Sequence, residues 1–238
     1  MSEVRIGARY CGPVRSANGG YTAGVLAAHI SGACSVTLRA PPPLEKPLTV
    51  SRADDGAVCL HDAATLIAEA RPTEIDLQLP EPVSFEDAER ATRSYPGAHP
   101  HPYPQCFVCG PARPRGDGLA IYAGAVEGRR VVAAPWFPRA ELCRDGREVD
   151  AELVWAALDC PSWFGFCAFE DELPPVLLGR LAARIDRRPA CGERLVVVGW
   201  HLRREGRRIE CASMLVDAQG TCLARATSTW VALKSPVT

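Results

Sequence analysis

Two stretches of this chain carry residue types that together could activate a carbonyl group. The first is Asn18-Gly19-Gly20, which opens the apolar run Tyr21-Thr22-Ala23-Gly24-Val25-Leu26-Ala27 and contains no acid. A helix starting at Gly19 and Gly20 would leave free N–H groups at its positive end, aimed at any oxygen that gains negative charge. The second is Asp150-Ala151-Glu152-Leu153-Val154-Trp155-Ala156-Ala157-Leu158-Asp159, an apolar helix with an acid at its end and no glycine pair at its start. A carboxylate at a helix C-terminus opposes the macrodipole by ~0.3–1 kcal/mol, a cost that makes sense where the carboxylate has a task. Asp159 is therefore the candidate general base or nucleophile, and the Gly19 and Gly20 amides are the candidate donors. The structural alternatives are plain. Asp159 could cap a turn running through Pro161 and Ser162, and glycines at a turn are ordinary because they accept positive φ.

Cys106-Phe107-Val108-Cys109-Gly110 is a CxxC pair, but a structural zinc site needs four ligands. His99 and His101 lie upstream in a proline string without the usual His spacing. The pair reads as a packed turn, with no metal bound. His29, His61 and His201 are isolated and read as structural. No G-x-S-x-G elbow, no phosphate loop ending in Lys and Ser or Thr, and no GxGxxG occurs in the sequence.

The elements that must position these residues follow from periodicity and turn chemistry. The pattern predicts a helix over 20–30 and strands over 34–39, 47–51, 57–62 and 64–69, with Asp54-Asp55-Gly56 as a hairpin turn. Residues 71–105 are rich in proline and join two units. Inside them Ser84-Phe85-Glu86-Asp87 resembles a capping signal for a short helix reaching Arg93. Strands are predicted over 119–126 and 130–136, then a helix over 149–158 limited by Pro161, then strands over 176–185, 194–204, 208–216 and 222–233. The order is one helix plus an antiparallel sheet, twice.

Composition sets outer bounds. A chain of 238 residues that is 47% apolar fits one large domain or two small ones with a real core. A net charge of −1 argues against a nucleic-acid partner. Arg203, Arg204, Arg207 and Arg208 flank Gly206 and read as the solvated rim of a hairpin. No apolar stretch is long enough to suggest a membrane span, and no signal peptide is evident, so a cytoplasmic location is expected. Eleven cysteines at scattered spacings read as free thiols, and no disulfide is expected.

The chain resembles the hotdog-fold acyl-CoA thioesterases in a double-hotdog arrangement. The phenylacetate-pathway type starts its helix with His/Asn-Gly-Gly and places an Asp nine residues after the first of these. Asn18-Gly19-Gly20 matches the start, but nine residues on stands Ala27. Asp159 falls nine after Asp150, but Ala151-Glu152 replaces the glycine pair. In that family turn and acid come from opposite subunits, so a fused pair would keep one complete site per chain. Cys106 to Gly110 followed by Gly118-Leu119 resembles the segment that opens many single hotdog thioesterases. Residues 217–226 resemble the hairpin into the last strand.

The resemblance implies an α+β fold of two fused hotdog domains, each an antiparallel sheet wrapped around a central helix. The units would be 1–75 and 106–238, with 76–105 as the linker. It implies hydrolysis of an acyl-CoA or related thioester, with Asp159, Gly19 and Gly20 catalytic. Asn18, Tyr21, Trp155, Trp163, Thr227 and Ser228 would line the substrate. In the medium- and long-chain double-hotdog type an Asp, a Ser or Thr and a Gln surround a water. Asp159 matches that Asp, while Thr227-Ser228 replaces the last-strand Gln. A homo-oligomer without cofactor is implied. A non-catalytic acyl-CoA-binding or scaffold protein is one alternative, which the missing Gln supports. A hotdog hydratase is another, although the loop over 144–150 lacks the His such enzymes use.

Overall fold

The computed structural model describes residues 2–98, 101–114 and 116–233. His99 and the last five positions of the second predicted unit lie outside the described residues.

Strand β1 (Ser2–Arg5) leads into helix α1 (Gly19–Ala27), which is followed by β2 (Cys34–Leu38), β3 (Pro47–Arg52), β4 (Val58–Asp62) and β5 (Thr65–Pro72). Then come α2 (Phe85–Ala91), β6 (Gly124–Ala125), β7 (Val132–Trp136) and α3 (Ala151–Cys167). The last four strands are β8 (Val176–Ile185), β9 (Leu195–Glu205), β10 (Arg208–Asp217) and β11 (Cys222–Ala232).

All of these strands form one 11-stranded antiparallel sheet in the order β1-β3-β4-β5-β2-β8-β11-β10-β9-β7-β6. The order repeats itself. After each of α1 and α3, the first following strand pairs with the fourth, the fourth with the third, and the third with the second. The strand preceding the helix (β1 or β7) then adds beside the second. The two runs meet where β2 pairs with β8, Cys34 opposite Ala183 and Thr37 opposite Arg180. α1 and α3 lie against each other on one face of the sheet, inside the main core. α2 covers part of the other face, where Phe85, Ala88 and Ala91 pack with Val196, Val198, Trp200 and Met214. Ser84 caps α2 by accepting the Asp87 N–H at 3.1 Å, as the sequence predicts.

Three elements depart from the sequence reading. α3 does not stop at Pro161; it continues to Cys167 with Pro161 inside it. An internal proline costs ~3 kcal/mol or more. Burial of Trp163, Phe164 and Phe166 offsets it, at roughly 1.5–3 kcal/mol for each large apolar side chain. Two carbonyls of the turn before the proline are taken up by hydroxyls: Ser213 donates to the Leu158 oxygen at 2.6 Å and Ser162 to the Asp159 oxygen at 2.7 Å. The strand expected over 119–126 shrinks to Gly124–Ala125, because Gly118 and Ala120 take φ of 84° and 54° and break the extended run. β1 was not expected, since Ser2–Arg5 contains one apolar residue and no alternation to read.

The expectation of no disulfide is also corrected. Cys143 and Cys191, 48 positions apart, are bonded and tie the loop before α3 to the turn between β8 and β9. Their separation in sequence hides the pairing.

Candidate functional site

The glycine turn and the acid come together. Asn18 holds extended dihedrals before α1, and its Oδ1 accepts the Tyr21 N–H at 2.8 Å. That fixes the Asn18 side chain, so its Nδ2 faces α3. Asp159 Oδ2 accepts from Asn18 Nδ2 at 2.9 Å and from the Gly20 N–H at 2.9 Å. Asp159 is 2% exposed and Asn18 3%. The other carboxylate oxygen, Oδ1, is buried without a hydrogen-bond partner among the described residues. Burial pushes the Asp159 carboxyl up to about 7, against the Gly20 N–H and the Asn18 amide, which favour the charged form.

The close crossing of the helices depends on missing side chains. A β-carbon on Gly20 would lie 2.6 Å from Asp159 Cβ and 2.8 Å from the Trp155 oxygen. One turn on, a β-carbon on Gly24 would lie 2.5 Å from Glu152 Cα and 2.9 Å from Trp155 Cβ. Glycines four apart share a helix face, so α1 presents bare backbone to α3 along this line.

Donor and carboxylate touch directly, with no space for a carbonyl between them. Asp159 does not cap the turn at Pro161 with its carboxylate; that oxygen reaches across to α1. Gly20 supplies the amide bond to the acid, whereas Gly19 packs against Leu38 and Leu178. Two surface hollows lie elsewhere, one beside Arg90 and Arg129 and one beside Trp200 and Leu202.

The other candidates divide. Tyr21 stacks on Tyr10 with ring centroids 4.0 Å apart, and burial pushes its phenol above the ordinary value. Trp155 sits at the α1 crossing beside Gly24. Trp163 packs near Trp230, ring centroids 5.6 Å apart. Both tryptophans are buried in the main core. Ser228 faces α3: its hydroxyl lies 2.7 Å from the Ser162 hydroxyl, and Trp230 Nε1 donates to both at 3.1 Å. Thr227 does not join it. Neighbouring residues of a strand point to opposite faces, and Thr227 stands on the far side, in register with Ala212 and Ala182.

Sequence reasoning missed Ser162 and Trp230. The signal for Ser162 was its place three residues after Asp159, which puts both on one helix face.

No family model and no curated protein matches the chain. Solved structures do. A protein of unknown function with a hot dog fold from Alicyclobacillus acidocaldarius is 12% identical with a TM-score of 0.63, covering 99% of this chain and 93% of that one. A protein from Novosphingobium aromaticivorans, provisionally named a thioesterase, is 12% identical with a TM-score of 0.61, covering 97% and 94%. The tesB protein of Mycobacterium avium subs paratuberculosis is 13% identical with a TM-score of 0.58, covering 93% and 89%. At these identities the likeness shows the fold: an α+β hotdog-type architecture along nearly the whole chain. Among the described residues, no helix is long and apolar enough to cross a membrane.

Proposed function

We propose that the chain is two hotdog units fused in tandem, with α1 and α3 as their central helices, and that it hydrolyses an acyl-CoA or related acyl thioester at Asp159. The observation that carries this reading is the state of the Asp159 carboxylate. One oxygen rests on the Gly20 N–H at the positive end of α1, and the other is buried with no hydrogen-bond partner among the described residues. The repeated strand order supports two units, and the name of the Novosphingobium neighbour supports the chemistry.

In this reaction the carboxylate turns off the Gly20 N–H and takes a proton from water, and that water attacks the thioester carbonyl carbon. The carbonyl oxygen takes the vacated place on Gly20 N–H, with Asn18 Nδ2 as a second donor, and its developing negative charge is stabilised there. Collapse of the intermediate breaks the carbon–sulfur bond, and the proton held by Asp159 passes to the leaving thiolate, which restores the carboxylate.

A second reading is favoured by one observation. Where the resemblance calls for a Gln on the last strand, Thr227 points away from α3 and Ser228 is bonded to Ser162, which suits a protein that binds an acyl thioester without turning it over. A panel of short-, medium- and long-chain and aryl acyl-CoAs, with released CoA measured by chromatography, separates the two. Turnover of at least one member supports hydrolysis. Ligand-induced thermal stabilisation without turnover supports the binding protein. Neither effect with any member overturns both.

A further inference from the structure

Cys106 and Cys109 sit on one tight turn, closed by the Gly110 N–H donating to the Cys106 oxygen at 2.9 Å. The turn needs glycine at its end: a β-carbon on Gly110 would lie 2.5 Å from both Cys106 N and the Pro104 oxygen. α3 brings a third sulfur to the pair. Cys160 Sγ lies 3.7 Å from Cys106 Sγ, across 54 positions of sequence. The three sulfurs lie within 4.8 Å of one another, and all three residues are buried. On the linker side, His101 Nε2 lies 3.5 Å from Cys109 Sγ.

Two of these separations match edges of a metal tetrahedron, the 3.7 Å between Cys106 and Cys160 and the 3.5 Å between Cys109 and His101; the other sulfur pairs lie within 4.8 Å, and His101 stands outside that circle, near Cys109 alone. Zinc–sulfur bonds of ~2.3 Å and a zinc–nitrogen bond of ~2.0–2.1 Å give sulfur–sulfur edges of roughly 3.8 Å and sulfur–nitrogen edges of roughly 3.5 Å. Three thiolates and one imidazole are a soft donor set that suits zinc over magnesium or calcium.

We propose that Cys106, Cys109 and Cys160 hold one zinc ion as thiolates, with His101 turning in from its place beside Cys109 to supply Nε2 as the fourth ligand. Binding releases three thiol protons to solvent. The imidazole stays neutral, its proton passing from Nε2 to Nδ1, so the bond that Nδ1 now accepts from the Tyr103 N–H at 2.9 Å gives way to the metal bond. The sequence reading expected no metal here because it found one cysteine pair and no partner pair; the fold supplies the rest from a helix and a linker. The ion would fasten the linker, the turn and α3 together at the residue next to Asp159. Asn18 links the two sites, with its Nδ2 2.9 Å from Asp159 Oδ2 and 4.0 Å from Cys106 Sγ.

The test is metal content of the full chain, purified under reducing conditions without chelator. Close to one zinc per chain is expected, falling several-fold in Cys109→Ser and Cys160→Ser and unchanged in Cys34→Ser, a buried thiol in β2 outside the cluster. Cobalt added to the chelator-treated, reduced wild type should give sulfur-to-cobalt charge-transfer bands and the ligand-field bands of a tetrahedral site, the latter shifted in His101→Gln. Wild type without zinc and without charge-transfer bands overturns the proposal, and this holds even if the serine variants fail to fold. So does zinc retained in Cys160→Ser, or a Cys106–Cys160 disulfide found by mass spectrometry in anaerobically purified protein. An unshifted spectrum in His101→Gln removes His101 as the ligand. None of these readouts depends on thioester hydrolysis.

Discussion

Gly20 and Asp159 are packed so closely that a β-carbon on the glycine would lie 2.6 Å from that of the acid, and the same glycine's N–H holds the acid's Oδ2 at 2.9 Å. One residue therefore serves as spacer and as donor, and substitutions should separate it from its neighbour. Gly20→Ala is expected to destabilise by about 1–3 kcal/mol, the usual cost of overpacking, because backbone at Trp155 stands in the way. Gly19→Ala meets the ends of the Leu38 and Leu178 side chains at 3.0 and 2.8 Å, which can rotate aside, and Leu178 Cβ at a milder 3.3 Å, and should cost less. Chemical denaturation of both variants checks the order; equal midpoints would contradict the crossing described here.

Asp159→Asn should keep the fold, since an amide oxygen can still accept from the Gly20 N–H, and should lower thioester turnover by ~10²–10⁴-fold, the range for loss of a general base. The measurement is turnover of the best acyl-CoA, with circular dichroism as the folding control. Turnover at the wild-type level would remove Asp159 from the chemistry.

Removing one hydroxyl from the Ser162–Ser228–Trp230 cluster leaves a buried group short of a partner. Ser228→Ala should cost about 1–3 kcal/mol, the range for a buried polar group left unsatisfied. Because Trp230 Nε1 keeps Ser162 in that variant, the double change Ser162→Ala with Ser228→Ala should cost more than either change alone. Urea titrations of the two single variants and the double variant provide the comparison.

The Cys143–Cys191 bond closes a segment of 48 positions that contains all of α3 and β8. Its removal by Cys143→Ser should destabilise by about 2–4 kcal/mol. Peptide mapping without reductant should recover the two cysteines as one cross-linked peptide. Recovery of both as free thiols would exclude the bond.

Much of the fold was legible in the sequence because β8 to β11 are long and announce themselves by alternation between turns. The pairing of Asn18-Gly19-Gly20 with Asp159 was legible for a different reason: each stretch offered half of a carbonyl-activating set. What escaped was what only proximity reveals. Nothing local to Gly24 marks it as a contact for Glu152, and nothing local to Cys160 marks it as a neighbour of Cys106. Pro161 misled because its cost is local, whereas the burial that outweighs it comes from β9, β10 and β11. Thr227 was a different kind of error. The period of the strand already forbade it from sharing a face with Ser228.

The β2–β8 pairing also has a meaning in time. During synthesis the strands β1 to β5 are complete long before β8 exists, and until then β2 has a neighbour on one side only. An open strand edge invites pairing with another chain. The nascent first half therefore passes through an interval with one edge of β2 open, which ends only when β8, the first strand after α3, pairs with it.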